Sequence, residues 1–94
     1  MNISRKIGKN RGVSRLWIEG KSLASSGWSR GRRFDVVWSA GELVYVAKAD
    51  GKRKVAGTAD RPIIDTNTDK LDVFVGMVSV AITSERITIT QGSL

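Results

Sequence analysis

The sequence predicts a mainly β fold, a small barrel of hairpins with one or two short helical turns. Three observations lead there. Apolar and polar residues alternate with a period of two in several short runs. Valine, isoleucine and aromatic residues concentrate in those runs. Glycine-bearing turns separate them. At 94 residues and 40% hydrophobic content the chain fits one domain, near the lower end of what one apolar core stabilises alone.

Residues 1–12 are polar, with two glycines and only Ile3 and Ile7 to bury, and read as a flexible basic arm ahead of a single β-barrel-like domain over 13–94. The first strand is predicted at Arg15-Leu16-Trp17-Ile18-Glu19, which alternates and stops at Gly20. Ser22 is placed to cap one helical turn, and Gly27 to close it with φ > 0 before Trp28. Phe34, Val36 and Trp38 share one face of the next strand. Ser39-Ala40-Gly41 then turns the chain into Glu42 to Ala47, making a hairpin. Asp50-Gly51 is a turn dipeptide.

The pattern then restarts. Arg61 to Asp65 reads as a strand, Thr66 to Phe74 as a brief helix begun by a polar cap, and Met77–Ile82 and Ile87–Thr90 as a second hairpin. Leu16–Glu19 matches Ile63–Thr66, Leu23 matches Leu71, Gly31 matches Gly76, Phe34–Val37 matches Met77–Val80, and Leu43–Val46 matches Ile87–Thr90. Pseudo-repeats over 14–47 and 61–90 would join two hairpin units into a closed barrel with few exposed edges.

Charge is distributed unevenly. Met1 to Arg33 holds nine basic residues and one acid, Glu19, whereas the rest holds seven basic and eight acidic groups, so all of the +7 excess lies in the first third. Such a field attracts polyanions or acidic protein surfaces. With no cysteine and no histidine, most catalytic and metal-binding constellations are excluded, and neither an enzyme nor a cofactor is expected. Gly20-Lys21-Ser22 is no phosphate loop, because Arg15 stands where that motif needs glycine. Asp60, Asp65, Asp69 and Asp72 lack the regularity of a calcium loop, so no metal is expected. Met1 to Arg15 has no apolar run that would make a secretory signal or anchor, and no stretch approaches the roughly 20 apolar residues of a membrane span. A cytoplasmic protein without membrane contact is expected, as a monomer or homodimer.

The runs Leu16-Trp17-Ile18-Glu19-Gly20-Lys21-Ser22-Leu23, Gly27-Trp28-Ser29-Arg30-Gly31-Arg32-Arg33-Phe34-Asp35-Val36 and Gly41-Glu42-Leu43-Val44 resemble the swapped-hairpin AbrB-like domain, especially its SymE-like branch. Arg32 departs from that pattern, which has Asp after the glycine. The resemblance covers about Arg15 to Val46. It implies a barrel made by exchanging hairpins between two chains, with DNA bound by basic residues near strand ends; a degenerate second half would let one chain form it as a fused pseudo-dimer. Gly51-Lys52-Arg53-Lys54-Val55-Ala56-Gly57 followed by Pro62-Ile63-Ile64-Asp65 is also similar to the small basic segment ahead of the catalytic domain in some phage-borne DNA cytosine methyltransferases. That likeness implies DNA contact and a phage-like origin in a bacterial host cell, without methyl transfer.

The candidate binding residues follow. Arg30, Arg32 and Arg33 sit in a glycine turn where guanidinium groups can track phosphates. Arg5, Lys6, Lys9 and Arg11 are expected to adjoin that turn and add sequence-independent contacts. Arg15 and Lys21 extend the set, and Lys52, Arg53 and Lys54 form a second cluster. Trp17 points opposite Leu16 and Ile18 and is the aromatic expected to stack on bases, whereas Trp38 and Phe34 are expected in the core. The expected function is DNA binding through the phosphate backbone. The alternative is a phage anti-defence (anti-CRISPR) inhibitor that turns the same cations on an acidic or nucleic-acid-binding surface of a host defence protein.

Overall fold

A computed structural model describes residues 1–92. Ser93 and Leu94, the end of the expected domain 13–94, lie outside the described residues. The strands are β1 (Asn2–Lys6), β2 (Gly8–Asn10), β3 (Val13–Glu19), β4 (Arg33–Ser39), β5 (Glu42–Ala47), β6 (Arg53–Lys54), β7 (Ala56–Gly57), β8 (Pro62–Asn67), β9 (Met77–Ile82) and β10 (Arg86–Gln91). One helical turn, α1 (Lys21–Ala24), and one 3-10 turn (Asp69–Val73) complete the elements. The mainly β prediction holds. The closed barrel does not: a six-stranded antiparallel sheet ordered β1-β9-β10-β5-β4-β6 faces a four-stranded one ordered β2-β3-β8-β7. The chain passes between them four times, twice through the helical turns that follow β3 and β8 and twice at single-residue corners, Ile7 between β1 and β2 and Val55 between β6 and β7. Both residues turn into the core there, and the strand bends instead of continuing one ladder.

The expectation of a flexible arm is overturned. All five residues of β1 pair antiparallel with β9, from Asn2 opposite Ala81 to Lys6 opposite Met77, and β2 pairs with β3. Ile3, Arg5 and Ile7 are the partly buried positions, so the segment alternates as a strand does. Its order comes from a partner far along the chain, which local composition does not reveal.

Both sheet orders read the same from either end once the chain is cut near Asp50. β1 lies on β9 as β6 lies on β4; β5 meets β10, and β3 meets β8. The counterpart positions are set by burial. Leu16 and Ile18 face inward as Ile64 and Thr66 do, and Phe34 and Val36 as Val78 and Val80 do. Two of the expected matches are therefore one residue out of step, because Ile63 and Met77 point to the opposite face from Leu16 and Phe34. Matching Leu43 with Ile87 puts like faces together.

Local signals account for the turns. Gly20, at φ 90°, precedes α1 and no side chain caps it, so Ser22 is not the cap; Leu23 of this turn is fully buried. Thr68 does cap the 3-10 turn, its side chain accepting the Lys70 N–H at 3.3 Å. Trp28, Phe34 and Tyr45 stack edge to face through the core, with centroids 5.8 and 5.3 Å apart.

Tyr45 is the chain's one tyrosine, buried and hydrogen-bonded to Thr66. Burial pushes its phenol up to about 12, against the opposing effect of the Thr66 bond. The folded state thus holds the phenol proton more tightly than the unfolded chain, whose tyrosine ionises near 10. This contribution is fully present below pH 10 and is lost as pH rises toward 12, amounting to on the order of 2–3 kcal/mol. A pH titration should show tyrosinate absorbance rising near pH 12 and not near 10 for as long as the β circular-dichroism signal persists. Ionisation near pH 10 with the fold intact would contradict the burial.

Candidate nucleic-acid interface

The Arg-rich turn and the second basic cluster come together. The Gly31 N–H donates to the Val55 carbonyl at 2.8 Å, and the Val55 N–H to the Arg32 carbonyl at 3.0 Å. That pair of bonds sets Arg33 opposite Lys54 and Phe34 opposite Arg53. Arg30, Arg33, Lys52, Arg53 and Lys54 are all exposed, and none forms an ion pair among the described residues. Directly opposed like charges such as Arg33 and Lys54 repel. An anion bridging them relieves that repulsion.

The three turn arginines have different surroundings. Arg32 is pinned: its guanidinium lies 4.9 Å from the Trp28 ring centroid, donates to the Gly27 carbonyl at 3.1 Å and sits 3.6 Å from a Glu85 oxygen. It holds the turn against the hairpin between β9 and β10. Arg33 Nη1 donates to the Gly51 carbonyl at 2.9 Å, while Arg30 is exposed and makes no side-chain hydrogen bond among the described residues. Arg30, Gly31, Lys54, Val55 and Ala56 line an open cleft of about 450 Å³.

Arg15 and Trp17 do not form a free stacking site. Arg15 forms a two-pronged bond to Asp65 (2.9 and 3.0 Å) and lies over the Trp17 ring at 4.4 Å, so cation, carboxylate and indole satisfy one another on the outer face of the smaller sheet. The Arg15 hydrogen bond holds the Asp65 carboxyl below its usual range. Arg61 likewise grips Glu19 at 2.7 and 3.2 Å and lowers it. The face that carries Trp17 is therefore locally neutralised.

The N-terminal cations do not adjoin the Arg-rich turn. β1 and β6 are opposite edges of the larger sheet. Lys6 lies opposite Met77, at the far end of β9 from the hairpin turn whose Glu85 meets Arg32. Lys9 is drawn to Ser14 (3.2 Å) and Asp72 (3.8 Å); Arg11, at φ 55°, tips the turn between β2 and β3; Lys21 is exposed on α1. The two edges nevertheless match: Arg5 lies opposite Val78 as Arg53 lies opposite Phe34, and Lys6 and Lys54 follow, each leading into its corner residue, Ile7 or Val55. Arg5-Lys6-Ile7 and Arg53-Lys54-Val55 were the available signal in the sequence for this correspondence.

Lys70 was missed by sequence reasoning. It lies 6.0 Å from the Trp38 ring centroid and lines a cleft with Lys52 and Arg53, a neighbourhood created only by tertiary packing. No helix among the described residues is long and apolar enough to cross a membrane. Comparison with known family models, curated proteins and solved structures finds no match.

Proposed function

We propose that this chain is a nucleic-acid-binding module, with DNA the favoured ligand, that holds the phosphate backbone through Arg30, Arg33, Lys52, Arg53 and Lys54. The observation that carries the reading is that these five exposed cations, drawn from two separate sequence clusters, are brought onto neighbouring backbone segments, with no carboxylate within ion-pair distance of them among the described residues. A surface with these charges gains affinity by releasing counterions from a polyanion, and its base contacts would be few. Arg5 and Lys6, at the matching edge, supply a second point of backbone contact. The resemblance to AbrB/SymE-like domains supports the same reading: each half lends its first strand to the hairpin of the other, as a fused pair of swapped units would. A phage-related role in a bacterial cytoplasm, and binding in place of catalysis, belong to this proposal.

The test is a gel shift with duplex and single-stranded DNA at several salt concentrations. Changing all five cations to Gln should flatten the log-affinity against log-salt slope by about 4, at roughly 0.9 per phosphate contact on duplex. Changing Arg15 and Arg61 to Gln should leave the slope nearly unaltered, because both are already paired. Absence of any shift at about 100 micromolar protein would sink the proposal, since non-specific binders reach that range. Capture of a CRISPR effector by a protein that shifts no DNA would favour the anti-defence alternative.

A further inference from the structure

The matching of the two halves breaks at the outer edge of β4. On β9, β1 covers the whole edge: Ile3 lies opposite Val80, Asn2 opposite Ala81, and Met1 and Ile82 exchange bonds in both directions at 2.7 and 3.0 Å. On β4, the counterpart, β6 stops at Phe34 opposite Arg53. The chain before β6 turns away at Gly51, whose N–H bonds the Lys48 carbonyl at 2.9 Å. Val36, Val37 and Trp38, the counterparts of Val80, Ala81 and Ile82, have no strand beside them on that edge among the described residues. Backbone bonds alternate in direction along an antiparallel strand. Arg33 sends its carbonyl toward β5, to Lys48 N–H, so Val36 and Trp38 send their N–H and C=O groups to the open edge.

We infer that this open edge of β4 receives an extended acidic segment of a partner protein, added as a short strand where β1 lies on the other edge. Such an exposed row of donors and acceptors is the usual seat of strand addition. The adjoining cleft, about 450 Å³, sets the chemistry of the occupant. Lys52 and Arg53 stand at one end and Lys70 beside Trp38 at the other. The one carboxylate there, Asp35, already accepts the Lys52 N–H at 2.9 Å and lies 3.6 Å from Lys48 Nζ. A second copy of this chain is disfavoured as the occupant, because edge-to-edge pairing would set these cations against their own copies on a protein of net charge +7. This site is distinct in kind from the proposed phosphate contact: it works through backbone bonds.

The probe is a seven-residue labelled peptide alternating Glu and Val, followed by fluorescence anisotropy and by amide hydrogen exchange on the intact protein. Binding should slow exchange at the Val36 and Trp38 amides. Methylating alternate peptide nitrogens along the bonding edge, or replacing Glu with Lys, should weaken binding about tenfold or more. Val36→Pro removes one outward N–H while sparing the ladder to β5, and should weaken the peptide similarly while leaving the duplex DNA shift in place. No binding at about 1 mM peptide, equal binding of the methylated peptide, or protection of these amides by DNA and not by peptide would each overturn the inference. The DNA arm reports the proposed nucleic-acid function separately.

Discussion

Trp28→Ala is expected to lower the melting temperature by about 20 °C and to leave little folded protein at 37 °C. The indole is fully buried, stacks edge-on against Phe34 at 5.8 Å and donates Nε1–H to the Thr83 carbonyl at 2.8 Å. It is thereby the bolt between the loop before β4 and the hairpin of the second half. Removing a buried aromatic ring costs about 3–5 kcal/mol, to be set against the 5–15 kcal/mol by which such domains are stable. In a domain of this size each kcal/mol moves the melting point by about 4–8 °C. Trp28→Phe keeps most of the ring and leaves the Thr83 carbonyl unpartnered, so a drop near a third of that size is expected, about 1–2 kcal/mol. Thermal melts by circular dichroism decide it; a drop under 5 °C for Trp28→Ala, within about 1 kcal/mol, would mean that the ring is not a core element.

Gly51→Ala carries the second large effect, and its reason is space. A Cβ at Gly51 would stand 2.6 Å from the backbone N, C and O of Phe34, atoms that cannot swing aside as the tip of a side chain can. Phe34 is itself held between Trp28 and Tyr45. Either the core strand shifts or the segment leading into β6 lifts away, and a cost of about 3 kcal/mol or more is expected, as for severe overpacking. The second outcome dislodges Lys52, Arg53 and Lys54 and should weaken polyanion binding as well as stability. Gly31→Ala is the control: its φ of 89° strains a side chain, but nothing lies within 4 Å, so about 1–2 kcal/mol is expected. Equal melting points for the two variants would refute the close approach at Phe34.

Sequence and structure agree where the cause is local. Alternation placed β3 and β4, because a strand with one buried face must repeat every two residues, and β-branched and aromatic content placed β5; Gly27, Gly31, Gly41 and Gly76 mark turns by adopting positive φ. The two basic clusters were likewise plain, since charge is read directly from composition. Residues 2–10 were misread for the opposite reason. Their few apolar residues suffice only because β9, more than 70 residues away, offers a ladder of bonds and the core takes Ile3 and Ile7.

The candidate site shows the same division. That Arg30, Arg32 and Arg33 and the Lys52 to Lys54 run are two basic clusters was legible; that their backbones lie side by side depends on two hydrogen bonds at Val55. Pairing also removed candidates: Asp65 occupies Arg15, and Glu85 with the Trp28 ring occupies Arg32. The sequence by itself determined a β-rich chain with its excess charge at one end, since periodicity and charge are properties of neighbouring residues. Only the tertiary structure decided which strands pair, which cations stay free and which edge stays open. Those outcomes rest on contacts between distant residues, whose register a shift of one position would turn inside out.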